Sequence, residues 1–468
     1  MLFTSVTFVW FFLPVVLILH TVLRGAARNY MLLAASLLFY AWGGPRHLLV
    51  MVLSMLLNWA VGLAIDRLSC RRLWLGLGVV FNLALLGYFK YFNMVVNLLR
   101  RGFSLSLENI AQVALPIGIS FYTFQALSYL IDLYRGAFPV QKNPFKLMLY
   151  ISLFPQLIAG PIVQYGDVVN EIDVRTVTLQ DAAYGVKRFI YGFSKKMIFS
   201  NGFALVADSV FGYTAAQMTT GAAWLGAVAY ALQIYYDFSG YSDMAIGLGR
   251  ILGFRFLENF NYPYISVTVT EFWRRWHISL SSWFRNYLYI PLGGNRKGAV
   301  RTLINLGIVF AVTGLWHGAE LQFIAWGLYH GAFLIGERLL NVKKWQLNGP
   351  VKLAARAYTL MAVLFGWVLF RAPGLRSALG YMGRMLFPAA EGVAATAVRF
   401  LDGRTIVLLV LGVLLCGPLQ SLCKRLHTAV FSEEKTGWLQ IAALTALFVY
   451  DVVLLISNTY NPFIYFRF

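Results

Sequence analysis

Apolar residues run along this chain in blocks long enough to enter a bilayer, separated by short polar joints. Runs at 6–23, 30–42, 47–65, 73–99, 113–133 and 145–163 occupy the N-terminal part, and others lie at 222–240, 301–316, 321–340, 354–370, 406–422 and 439–457. A spanning helix needs about 20 mostly apolar residues, so 30–42 is short. Pro116 and Gly118 interrupt the fifth run, and Pro155, Gly160 and Pro161 the sixth. Irregular backbone at membrane depth is tolerated where it is buried in protein or lines a wet cavity. These two segments read either as re-entrant walls or as ordinary kinks.

Two stretches break the pattern. In 181–211, Lys187, Arg188, Lys195 and Lys196 punctuate an apolar periodicity, which predicts an amphipathic helix at the cytoplasmic surface leading into a buried one. In 233–301, carboxylates, arginines and aromatics mix at high density, too polar to span and too apolar for a free loop. Short helices packed into the cytoplasmic face fit it best, with a turn at Gly293-Gly294-Asn295. The segment 375–387 reads as interfacial. The fold class expected is an all-α polytopic membrane protein. One membrane domain covers 1–468: N-terminal helices in 1–230, a core in 231–340, and C-terminal helices with an aromatic tail in 341–468.

Composition agrees. Hydrophobic residues make up 59% and charged residues only 12%, half the charge of a soluble domain. The net charge of +20 would suggest nucleic acid in a soluble chain. Here basic cytoplasmic loops explain it, and no aromatic-basic RNA motif is present. Arg24 and Arg28 follow the first run, and Arg67, Arg71 and Arg72 the third, which places the N-terminus outside. The stretch 1–20 lacks a basic start, so it reads as a first membrane helix, not a cleaved signal. Cys70, Cys416 and Cys423 form no metal or redox pattern and read as packing residues.

The chemistry concentrates in three histidines. His317 ends an apolar run in Gly314-Leu315-Trp316-His317-Gly318-Ala319. An ionisable group at membrane depth is a functional hypothesis by default, and histidine suits proton transfer near neutral pH. The bland alternative is a buried histidine bonded to a carbonyl. His277 lies in Glu271-Phe272-Trp273-Arg274-Arg275-Trp276-His277-Ile278-Ser279-Leu280-Ser281. One helix through this stretch would put Arg274, His277 and Ser281 on one face and let Glu271 pair with Arg274. That face is either an interfacial basic belt or a mouth for an anionic group such as a coenzyme phosphate. His330 reads as a second cavity residue or as a plain interhelical contact. No HExxH, GxSxG or P-loop occurs, so no metal site, serine-elbow hydrolase or nucleotide-driven pump is indicated.

Several blocks together resemble the membrane-bound O-acyltransferase family. They are Gln233-Ile234-Tyr235-Tyr236-Asp237-Phe238-Ser239-Gly240-Tyr241-Ser242-Asp243, Asn259-Phe260-Asn261-Tyr262-Pro263-Tyr264, the 271–281 stretch, Tyr287-Leu288-Tyr289-Ile290-Pro291-Leu292-Gly293-Gly294-Asn295-Arg296, and 314–319. Upstream, Leu115 to Gln125 and Ala159-Gly160-Pro161-Ile162 also fit, so the likeness runs the length of the chain. It points to the polysaccharide-acetylating branch.

The resemblance implies a ring of about eleven tilted transmembrane helices, with re-entrant and interfacial helices, around a central tunnel in a bacterial inner membrane. It matches the family's principal histidine to His317 and its second to His277. It implies acyl transfer from cytoplasmic acetyl-CoA, with no resident cofactor, toward an exopolysaccharide such as alginate. Arg274, Arg275 and Lys297 would hold the donor's phosphates, with Trp316, Asp237 and Asn261 beside it. His317 would be the general base and His277 would orient or polarise the thioester. Asp237 and Asp243 read more readily as structural groups bonding buried backbone or an arginine. Tyr465, in the aromatic end Asn461-Pro462-Phe463-Ile464-Tyr465-Phe466-Arg467-Phe468, is either an acyl relay or an interfacial anchor. The expected partners are membrane lipid and a separate extracytoplasmic serine-histidine-aspartate acetyltransferase. Rival readings are D-alanyl transfer to teichoic acid, acetylation of peptidoglycan or cellulose, and a solute transporter or channel.

Overall fold

The computed structural model describes residues 1–103, 112–342, 348–388, 395–422, 437–457 and 460–464, with backbone alone for 101–103. Helices make up nearly all regular structure among these residues; the exception is a single bridge between Met218 and Ala395. Five helices are long and apolar enough to cross a membrane: Pro45–Arg67, Arg71–Arg100, Ala299–His317, Gly349–Arg371 and Trp438–Ser457. Two shorter apolar helices cover Phe8–Val22 and Gly403–Leu415. The described residues fall into two compact units, Met1–Phe189 with Met244–Leu257, and Ile190–Asp243 with Glu258–Phe468.

In the first unit, the run at 113–133 becomes a helix only from Ile119 to Arg135, because Gly118 takes a left-handed φ of +75° that no β-carbon would welcome. The run at 145–163 forms no single helix long enough to span. Its helix stops at Ser152, and four residues, Phe154–Leu157, form a separate turn before irregular backbone. Pro155 and Pro161 explain the break, since proline supplies no amide hydrogen for a continuing helix. Buried amides tie the neighbouring helices: Asn82 donates to Asn58 Oδ1 at 2.7 Å and Asn58 returns a bond at 3.2 Å. Cys70 is exposed and therefore not a packing residue, whereas Cys416 of the second unit is buried; Cys423 lies outside the described residues.

The stretch 181–211 is helical, as expected, but three of its four cations are buried rather than at a surface. Lys187, Arg188 and Lys196 are all at most 3% exposed. The helix Leu179–Ser194 passes into one π-helical segment at Lys195–Ser200 and then into Asn201–Phe211. A π segment shifts side-chain direction within a helix, and here Lys196 turns inward. The apolar run at 222–240 is also longer than the hydropathy implies, extending from Thr220 to Ile251 as one helix. The dense stretch therefore begins inside a long helix, and only its later part forms short ones.

Candidate active site

His317 is the last residue of the helix Ala299–His317, and Gly318 leaves that helix in an extended conformation. Two residues later, after Glu320, the next helix, Leu321–Leu339, begins. The hairpin is tight because its contact face lacks side chains. A β-carbon on Gly314 would stand 2.3 Å from the Phe323 carbonyl oxygen, and one on Gly327 2.1 Å from that of Phe310. Small residues of this kind let membrane helices approach backbone to backbone. His317 thus sits at the tip of a rigid corner, half-buried, with its ring edge-on to Trp326 and Phe370 at 5.1 and 5.2 Å.

His277 is placed differently. Thr268 caps the helix Val269–Arg275 by accepting from the Glu271 amide, and Glu271 accepts the amide of Val267, the residue before the cap. Glu337 adds its carboxylate to the same end, accepting the amides of Val269 and Thr270 at 2.6 and 2.8 Å. The helix ends at Arg275, and His277 takes a left-handed conformation, φ 46° and ψ 55°, before the helix Ile278–Phe284 begins. Such backbone costs on the order of 1–3 kcal/mol for a residue with a β-carbon and persists only where its surroundings over-determine it.

Asn259 supplies that determination. Its backbone carbonyl accepts the Ile278 amide at 2.9 Å. Its side-chain Oδ1 accepts the Ser279 amide at 3.1 Å and the Ser279 hydroxyl at 2.9 Å, and lies 3.2 Å from His277 Nδ1. A backbone amide can only donate, so the atom it meets is the oxygen. His277 Nδ1 must therefore carry the hydrogen and donate it. Nε2 is left with the lone pair, fully buried and with no hydrogen-bond partner among the described residues. Burial holds this imidazole far below its ordinary value, at about 3, so it is uncharged near neutral pH.

The two histidines line one narrow cavity of about 30 Å³, with Ile234, Asp237, Phe238, Trp276, Trp326, Trp367, Phe370, Phe463 and Ile464. The last two come from the end of the chain, which folds back along the second unit. Tyr460 donates to Asp208, and Asn201 donates to Asn461 at 3.2 Å. Lys196 donates to the Pro462 carbonyl and lies 5.8 Å from the centre of the Phe463 ring. Asp237 accepts the Ile464 amide at 2.8 Å. Lys196 and Asp237 also pair with each other at 2.6 Å, both side chains 2% exposed, and Ser200 donates to the same carboxylate at 3.2 Å.

A larger polar pocket of about 570 Å³ lies in the same unit. Arg274, Arg285 and Arg338 line it with Thr270, Ser281, Tyr289 and Asn295. Glu271 and Glu337 are there too, but Glu271 is taken up by Arg275 at 2.8 Å and Glu337 by the helix amides. None of the three arginines has an ion pair among the described residues. The pocket can therefore hold an anion through planar, multiply donating guanidinium groups.

A membrane helix ending in a histidine, a second neutral histidine facing the same small cavity and an arginine pocket suit acyl chemistry on an anionic carrier. Comparison with known proteins decides the class: residues 137–377 match the model of MBOAT, the membrane-bound O-acyltransferase family. The chain belongs to this family. It is 41% identical, over the whole of both chains, to the Probable alginate O-acetylase AlgI of Pseudomonas putida. It is 46% identical to the protein of the same name from Pseudomonas aeruginosa, across 81% of this chain and 73% of that one. The peptidoglycan O-acetyltransferase of Helicobacter pylori is 32% identical across all of this chain and 98% of its own. The protein is thus a membrane acyltransferase.

In this acyltransferase the predicted residues divide. His277, His317 and Asp237 meet at the small cavity, while Trp316 is buried beside it, 4.8 Å from the His317 ring and 6.3 Å from that of His277. Arg274 lines the arginine pocket. Arg275 does not; it pairs with Glu271 and donates to the Asn261 carbonyl at 3.1 Å. The expectation that Glu271 pairs with Arg274 is corrected accordingly, and the shared face of Arg274, His277 and Ser281 fails because the helix stops first. Asn261 is exposed and engages Arg275 through its backbone, and exposed Lys297 lies over Gly293. Asp243 pairs with Lys195 at 2.6 Å. His330 is fully buried among Trp273, Trp326 and Tyr329 with neither nitrogen hydrogen-bonded among the described residues. Tyr465 lies outside the described residues. Sequence reasoning missed Asn259, Lys196, Glu337 and Ile464. Asn259 carried a signal as the first residue of a recognised block, and Ile464 as part of the aromatic end.

Proposed function

We propose that this acyltransferase takes acetyl from acetyl-CoA at the cytoplasmic face and passes it outward for O-acetylation of an exopolysaccharide such as alginate. The observation that carries the reading is the cavity where His277 and His317 meet in a chain of this family. Arg274, with Arg285 and Arg338, takes the coenzyme phosphates. His317 acts as general base on the incoming hydroxyl. As the proton moves to His317, the hydroxyl oxygen attacks the thioester carbonyl, the carbon–sulfur bond breaks, and coenzyme A leaves as the thiolate. His277 presents a lone pair to the cavity, so it orients a hydroxyl or an N–H by accepting from it. It is not the donor that polarises the carbonyl.

The finer architecture in this reading is a ring of about eleven tilted helices around a tunnel in a bacterial inner membrane, with 231–340 as the catalytic core. Final transfer to sugar falls to a separate extracytoplasmic serine-histidine-aspartate acetyltransferase, with Tyr465 as the relay that carries acetyl toward it. Names of the full-length relatives support the acetyl group and the polymer; the tail's return to the cavity supports the relay. Two measurements test this. The acetyl ester content of secreted polysaccharide should vanish in cells lacking the gene and return with the wild-type copy, whereas a change confined to peptidoglycan would replace the acceptor. Intact-mass analysis after donor addition should show an acetyl adduct that Tyr465→Phe removes; an adduct retained in that variant would end the relay.

A further inference from the structure

We infer that the C-terminal segment is the acyl gauge of this enzyme: Ile464, beside Phe463, closes the histidine cavity to acyl groups longer than acetyl. The inference rests on the acetyl-thioester reading above.

Three observations converge. First, the cavity is small. Its 30 Å³ corresponds to roughly two water-sized positions, at about 10–15 Å³ each. The methyl and carbonyl oxygen of an acetyl group fill two such positions, and a butyryl group adds two methylenes beyond them. Second, the walls differ in how they are fixed. Trp326, Trp367 and Phe370 are 1–3% exposed and interlock with one another, with ring centres 4.9 to 6.1 Å apart. The tail is also held by polar bonds to its backbone: Lys196 to the Pro462 carbonyl and the Ile464 amide to Asp237. Third, that division separates holding from gauging. The Asp237 bond holds Ile464 by its amide, so the Ile464 side chain can be shortened without removing the bond. Ile464 is 5% exposed, and its side chain joins His277 and His317 in lining the cavity.

A wall of this kind discriminates sharply. One methylene too many in an apolar pocket changes selectivity by roughly 10–200-fold. Truncating Ile464 to alanine removes more carbon than the two methylenes that separate butyryl from acetyl. Truncating it to valine removes one methylene, enough for propionyl.

The test measures coenzyme A release from acetyl-, propionyl- and butyryl-CoA by the purified full-length protein in lipid vesicles. Thermal unfolding of each variant runs alongside. The wild type should prefer acetyl-CoA. Ile464→Ala should raise the butyryl-to-acetyl ratio by about ten-fold or more. Ile464→Val should raise propionyl relative to acetyl and leave butyryl excluded. Wild-type ratios in a folded Ile464→Ala protein would overturn the gauge while leaving acetyl transfer intact. If Ile464→Ala does not fold, wild-type ratios in Ile464→Val overturn it equally. A wild type that releases coenzyme A from none of the three donors would remove the donor reading, and the gauge with it.

Discussion

The buried pair of Lys196 and Asp237 offers a sharp energetic test of how the chain end is held. Both side chains are 2% exposed and 2.6 Å apart. Breaking a buried ion pair from one side costs about 3–5 kcal/mol, because the remaining charge stays desolvated. The two sides are not equivalent here. After Lys196→Met, Asp237 still accepts from Ser200 and the Ile464 amide. That variant should fall near 3 kcal/mol. After Asp237→Leu, the Lys196 ammonium keeps the Pro462 carbonyl and the Phe463 ring but loses its carboxylate, and the loss should approach about 5 kcal/mol. Independent sites would then sum to about 8 kcal/mol. The double variant removes both charges, and an apolar replacement of that kind is neutral or gains about 1–4 kcal/mol. Against this stands the orphaned Ile464 amide, at about 1–3 kcal/mol. The double variant should therefore lie within about 2 kcal/mol of wild type. Denaturant unfolding of the purified protein in micelles, followed by tryptophan fluorescence, supplies the four values. Carboxypeptidase digestion reports separately on release of the tail, which should be fast in Asp237→Leu. A double variant as unstable as the sum of the singles, or a harmless Asp237→Leu, would refute the reasoning.

Other predictions follow from the histidine corners. Gly314→Val should separate the helix pair that carries His317, since even its β-carbon would stand 2.3 Å from the Phe323 carbonyl. A loss of several kcal/mol in the same unfolding assay is expected, and a wild-type unfolding curve would contradict the close approach. For His277, burial puts the folded value near 3, below the ordinary value of about 6.5. Its contribution to stability is therefore whole above about pH 6.5 and is lost as pH falls from there toward about 3. His277→Gln should flatten that acid loss, and an unaltered pH profile would mean that the imidazole titrates freely.

Much of this was legible in the sequence because the relevant signals are local. Apolar runs mark the membrane helices, and prolines at 155 and 161 mark the break in the sixth run. What was not legible depends on residues distant in the chain. Lys196 looks like a surface charge on an amphipathic helix until a π-helical turn and Asp237 bring it inside. Arg274 and His277 look like one helical face until Asn259 holds His277 in a left-handed turn. Nothing in the terminal aromatic segment shows that Pro462 and Ile464 are bonded by those same two buried charges. Hydropathy and periodicity describe a helix surface, and these features arise where one helix meets another segment.

The central claim is that His317 performs proton transfer in acyl transfer from a thioester. Its most direct test is coenzyme A release from acetyl-CoA by the reconstituted wild-type protein and by His317→Ala, with folding confirmed by matched unfolding curves. Loss of a general base predicts a fall in rate of about 10²–10⁴-fold. Equal rates in the two proteins would contradict the claim.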